Sequence, residues 1–112
     1  MYRGIARHHM AKYKIEDGVS IIPKGTVKIE DSAFSGLEWL DNEELTKIVI
    51  PNTVKEIGNC AFKSCPINGA LVFPYNLAKI GHYAFTYCSS ITRVSIPETL
   101  KEIGDNAFRD CT

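Results

Sequence analysis

The most reactive side chains in this 112-residue chain are four cysteines, Cys60, Cys65, Cys88 and Cys111, and three histidines, His8, His9 and His82. Thiolates and imidazoles are the usual ligands of zinc, but such a site needs two closely spaced pairs. Only Cys60 and Cys65 are close, with four residues between them, so no metal is expected. His8 and His9 are adjacent and point in different directions, and no carboxylate or cysteine is placed to complete a site with them; a solvated tail is expected. Asp41, Glu43 and Glu44 cluster in a polar stretch that reads as a solvated loop rather than as paired carboxylates for acid–base work. There is no Ser/His/Asp order, no phosphate-binding glycine loop and no calcium loop. The chain reads as non-enzymatic, with no catalytic residue and no cofactor expected.

The cysteines make better sense within the pattern that carries them. Aligning Pro23, Pro51, Pro74 and Pro97 places Ala33-Phe34, Ala61-Phe62, Ala84-Phe85 and Ala107-Phe108 at one offset. Ile29, Ile57, Ile80 and Ile103 share a second offset, followed by Gly58, Gly81 and Gly104, with Glu30 in the first unit. Ahead of the prolines stand Ile22, Ile50, Phe73 and Ile96, and two residues earlier Ser20, Ile48, Leu71 and Val94. Cys65, Cys88 and Cys111 close the units, with Leu37 in the first. The prolines are spaced by 28, 23 and 23 residues, so the first unit holds a loop insertion, at 35–45.

A fixed period of this length is the signature of a solenoid, in which each coil buries its apolar side against its neighbours. Alternation such as Ile48-Val49-Ile50 predicts a short strand with one buried face, ended by the proline. The glycine after isoleucine is expected to serve a turn that needs an unusual backbone angle. The Ala-Phe pair is expected in a short helical or irregular return segment. Cys65, Cys88 and Cys111 are expected to stack as an interior ladder of reduced thiols, with a disulfide between neighbouring coils as the rival reading. Cys60 lies off that ladder, at the position of Ser32, Tyr83 and Asn106, and is the expected reactive thiol. His82, at the position of Asn59 and Asp105, reads as part of a polar surface turn.

Over residues 17–112 the Pro, Ile-Gly, Ala-Phe and Cys positions together resemble the BspA-like leucine-rich repeat family of bacterial surface proteins. The resemblance implies a leucine-rich-repeat solenoid of about four coils. It would have short parallel β-strands on the concave side and irregular, short helical, 3-10 or β return segments on the convex side. It also implies protein binding or cell adhesion, at a secreted or cell-surface location, and brings no catalytic residues. Residues 1–16 form an N-terminal extension or cap, in which Tyr13 and Ile15 alternate with Lys12 and Lys14. The N-terminus lacks the apolar core of a signal peptide, so the chain is expected to be cytoplasmic or a fragment of a longer protein.

Thirteen basic and thirteen acidic residues cancel, which removes the electrostatic reason for a nucleic-acid partner. No stretch reaches the roughly 18 apolar residues of a membrane span. A protein is the expected partner, a glycan the less favoured one. The side chains expected to meet it are Lys47, Val49, Val72, Tyr75, Arg93 and Ser95 on the concave face. Trp39 in the insertion is expected either to pack down on the coil beneath or to anchor a partner. The last repeat ends at Cys111 with nothing after it to act as a cap, so a homodimer through that edge is the alternative expectation.

Overall fold

The computed structural model describes residues 13–35 and 45–111. Among them are eight short strands: β1 (Val19–Ile21), β2 (Lys28–Ile29), β3 (Lys47–Val49), β4 (Glu56–Ile57), β5 (Gly69–Val72), β6 (Lys79–Ile80), β7 (Ile91–Ser95) and β8 (Glu102–Ile103). Every strand pairing is parallel, between equivalent residues of successive units. The two-residue strands form one continuous sheet, in the order β2-β4-β6-β8. The longer strands pair as β1-β3 and β5-β7. Between those two pairs the Asn68 amide donates to the Thr46 carbonyl at 2.9 Å. The β5-β7 register shifts between Gly69 and Ala70, so Thr92 is the extra residue of a bulge.

The return segments around the Ala-Phe pairs are turns, and no helix occurs among the described residues. Backbone dihedrals supply the reason. Ser32, Cys60, Tyr83 and Asn106 all adopt left-handed φ values between 56° and 58°, and one such residue interrupts a right-handed helix. Alternate amides then take different partners. The Ala61, Lys63 and Cys65 amides turn back to the carbonyls of Gly58, Cys60 and Phe62, while those of Cys60, Phe62 and Ser64 donate to His82, Ala84 and Thr86 of the next coil. The segment closes its own turn and ties itself to its neighbour with the same run of residues.

The glycines differ from the expectation. Gly58, Gly81 and Gly104 do not have positive φ. What they lack is space. A Cβ on Gly58 would lie 2.6 Å from the Asp31 amide nitrogen and 2.8 Å from the Glu30 carbonyl carbon. On Gly81 it would lie 2.7 Å from the carbonyl carbon of Gly58, and on Gly104 2.7 Å from that of Gly81. Each glycine is therefore required by the coil before it. Among the described residues no repeat unit precedes that of Glu30, whose side chain accepts a 2.7 Å hydrogen bond from the Tyr13 hydroxyl.

The core is a set of columns, one per repeat position. The rings of Phe34, Phe62, Phe85 and Phe108 stack nearly parallel, with centroids 5.1, 5.0 and 5.3 Å apart. The first three are almost fully buried, and each contributes about 1.5–3 kcal/mol by leaving water. Ile29, Ile57 and Ile80 form a second column with no exposed surface. Ser20 stands where later units have Ile48, Leu71 and Val94. It is buried, and its hydroxyl meets no partner among the described residues, a costly place for a polar group.

The two ends differ. The Tyr13 ring packs on Phe34 at 5.3 Å, and Ile15 also lies against the core. At the other end Ile96 and Ile103 are 49% and 51% exposed, where their counterparts Ile22 and Ile80 are 1% and 0% exposed.

Candidate partner-binding face

Strand alternation sorts β1, β3, β5 and β7 into inward and outward side chains. Inward go Ser20, Ile22, Leu71 and Phe73, all buried, with Ile48, Ile50 and Val94 partly buried against the core. Outward go two columns. In one, Val19 pairs with Lys47 and Ala70 with Arg93; in the other, Ile21 pairs with Val49 and Val72 with Ser95. Ile21, Val49 and Val72 are half or more exposed, at 66%, 50% and 65%. Tyr75 follows β5 and is likewise exposed; its amide donates to the Asn52 side chain at 3.4 Å, while its ring stays outside the core. Lys47 and Arg93 form no ion pair among the described residues. Of the side chains expected to meet a partner, Lys47, Val49, Val72, Arg93 and Ser95 are thus exposed on one set of strands, with Tyr75 beside them. Trp39 lies outside the described residues, as do His8, His9, Asp41, Glu43 and Glu44.

This face can offer apolar contact flanked by two cationic groups. Among the described residues no three of His, Cys, Asp and Glu are grouped to hold a metal ion.

The model of the BspA type leucine-rich repeat region (6 copies) matches residues 13–112. The chain belongs to this family. Among solved structures, a leucine-rich repeat protein from Bacteroides ovatus is 32% identical, with a TM-score of 0.72 over 83% of this chain. The leucine-rich repeat protein of T. pallidum is 25% identical, with a TM-score of 0.57 over 88% of this chain. The chain spans 22% of the first and 64% of the second. No curated protein matches.

Within this leucine-rich repeat array the cysteines sit on the side of the phenylalanine column. The Cys65, Cys88 and Cys111 thiols donate to the carbonyls of Phe34, Phe62 and Phe85, one coil back, at 3.4, 3.0 and 2.9 Å. All four cysteines are free thiols, with Cys60 partly buried at its left-handed turn. Burial pushes the Cys88 thiol up to about 12, raises Cys65 further, and raises Cys111. A thiol held neutral is a poor nucleophile and a poor metal ligand.

A polar ladder along the turns that lead into the Ala-Phe pairs escaped the sequence reading. Asp31 accepts from the Asn59 amide, Asn59 from the His82 amide, and the Nδ1 of His82 from the Asp105 amide, each at 2.8 Å. The signal was present: Asp, Asn, His and Asp share one repeat position, and all carry an acceptor close to the backbone. A charge ladder runs along the second sheet, where Glu56 lies 3.5 Å from Lys28 and 3.9 Å from Lys79. These groups are substantially exposed, so the pairs align coils more than they stabilise them.

Proposed function

We propose that this chain is a non-enzymatic protein-interaction module that holds a protein partner against the outward faces of β1, β3, β5 and β7. One observation carries the reading: Ile21, Val49 and Val72 present an exposed apolar column beside Lys47, Arg93 and Tyr75. Aligned apolar side chains with an aromatic and an arginine at their margin suit a protein surface. Membership of the leucine-rich repeat family supports the class. Adhesion to a host or cell-surface protein is the finer form, and a glycan partner is less favoured because, among the described residues, only Tyr75 offers a stacking ring on this face.

The test is a binding screen of the purified chain against immobilised host matrix proteins and a glycan array. Val72→Glu and Arg93→Glu serve as face variants, and melting curves as folding controls. Binding to a protein that falls about ten-fold or more in both variants, at unchanged melting temperature, supports the proposal. Binding confined to glycans, or indifferent to both variants, overturns it.

A second reading is supported by a separate observation, the half-exposed Ile96 and Ile103: self-association through the open C-terminal coil.

A further inference from the structure

We propose that the partner held on the outward faces of β1, β3, β5 and β7 is an acidic protein segment, whose apolar side chains cover Ile21, Val49 and Val72 while its carboxylates meet Lys47 and Arg93. The inference rests on the protein-binding reading of this face and names the chemistry of what the face holds.

The two sets of strands treat charge differently. In the β2-β4-β6-β8 sheet one repeat position is held in turn by Lys28, Glu56, Lys79 and Glu102, so each charge is paired in register with an opposite one in the adjoining coil. Glu56 accordingly lies 3.5 Å from Lys28 and 3.9 Å from Lys79. On the longer strands the corresponding outward column reads Val19, Lys47, Ala70 and Arg93. Lys47 is paired in register with Val19, and Arg93 with Ala70, so no neighbouring coil supplies a counter-charge. Neither cation forms an ion pair among the described residues. The second outward column, Ile21, Val49, Val72 and Ser95, is uncharged. The outward side chains of β1, β3, β5 and β7 thus carry two positive charges and no carboxylate, on a chain whose formal net charge is zero. These side chains stand out from the strands, at right angles to the direction in which coils stack, so their exposure does not depend on what lies above or below them.

Geometry and charge together select the occupant. Residues two apart on a strand are separated by about 6.6 Å and neighbouring strands by about 4.8 Å. The cationic column therefore runs alongside the apolar one, and the backbones of Lys47 and Arg93, two coils apart, stand about 10 Å from each other. A segment with aliphatic side chains along one edge and carboxylates along the other satisfies both columns at once. Arg93 can take a carboxylate through two parallel N–H donors, and Lys47 through its ammonium group. Nucleic acid and sulfated sugar are also anionic, but they have no aliphatic side chains with which to cover the exposed Ile21, Val49 and Val72. Exposed ion pairs contribute little affinity and much discrimination. The apolar column is the source of affinity, and the two cations choose among partners by repelling basic segments and drawing in acidic ones.

The experiment is selection of random linear peptides, displayed on phage, against the whole chain and against a charge variant, Lys47→Glu with Arg93→Glu, and an apolar variant, Val49→Ser with Val72→Ser. All four residues are exposed, so melting temperatures should hold; where the reversal lowers them, Lys47→Gln with Arg93→Gln takes its place. The wild type is expected to enrich peptides that combine Asp and Glu with aliphatic residues. Synthetic copies of these should bind both variants about ten-fold or more weakly, and should bind the wild type more weakly as salt is raised. Selection on the reversed chain should enrich Lys and Arg instead. Neutral or basic peptides that are lost in the apolar variant overturn the acidic partner and leave the face standing as a binding surface. Peptides indifferent to both variants overturn the inference and the face reading together. Failure to enrich any peptide overturns the inference alone, because the face reading has its own test in the protein screen. Heparin that binds through Lys47 and Arg93 without regard to the apolar variant overturns it in favour of an anionic sugar.

Discussion

At the N-terminal end Phe34 is covered by the Tyr13 ring at 5.3 Å and is 1% exposed. At the C-terminal end Phe108 stacks on Phe85 at the same 5.3 Å but on one face only, and it remains partly exposed. The repeat is the same; the neighbours differ. In a stacked array a residue's burial is supplied from both sides, so an end coil with one neighbour keeps the covalent pattern of the core and loses half of its environment. At the N-terminal end the Tyr13 ring covers the phenylalanine column, and its hydroxyl meets Glu30, in a position where every later unit has glycine.

The largest effect that sharpens this contrast is in the phenylalanine column. Phe85→Ala should cost about 3–5 kcal/mol in urea unfolding, and Phe108→Ala about half of that or less. Equal losses would mean that the last coil is as well covered as the third.

Next comes the glycine position. Gly81→Ala forces a methyl group into the backbone of the preceding coil and should cost about 2–3 kcal/mol. Glu30→Ala, at the equivalent place in the first described unit, should cost about 1 kcal/mol through loss of the Tyr13 bond. A mild Gly81→Ala would show that adjacent coils can slide apart, against the close approach described above.

Tyr13→Phe keeps the ring on Phe34 and removes only the hydroxyl, so a loss of about 1 kcal/mol is expected. The same change at the exposed Tyr75 should leave the melting temperature unmoved.

The smallest effect is on the thiols. Burial raises Cys88 from the usual 9.0 to about 12, so the unfolded chain loses this proton first as pH rises. The stabilisation is complete below about pH 9 and is withdrawn progressively between pH 9 and about 12. Cys65 and Tyr13, both raised, act in the same direction. Maleimide labelling at neutral pH should reach the partly exposed Cys60 and Cys111 before Cys88. Labelling of all four at one rate would show that the interior opens as a whole.

Much of this was legible beforehand because the repeat is a one-dimensional code. Pro, Ile, Ala-Phe and Cys recur at fixed offsets, and equivalent positions in a stack must share an environment. Strand phase followed from Ile48-Val49-Ile50, and with it the outward placement of Lys47, Val49, Val72 and Arg93. The glycine role was misread, because a missing Cβ relieves either a dihedral or a collision and the one-letter pattern is identical for both. Left-handed residues stand instead at Ser32, Cys60, Tyr83 and Asn106, and four residues later at Ser64, Tyr87 and Asp110, types that give no common signal.

By itself, then, the order of residues determined the coil: its period, its buried columns, and which side chains face outward. Those follow from apolar spacing along one chain segment and need no knowledge of what lies above or below. The contact between coils determined the rest. The ban on a Cβ at Gly58, Gly81 and Gly104, the Asp31–Asn59–His82–Asp105 ladder, the neutral thiols and the unequal ends all depend on the distance from one coil to the next. That distance is set by packing and hydrogen bonds between residues more than twenty positions apart, which only the assembled array brings together.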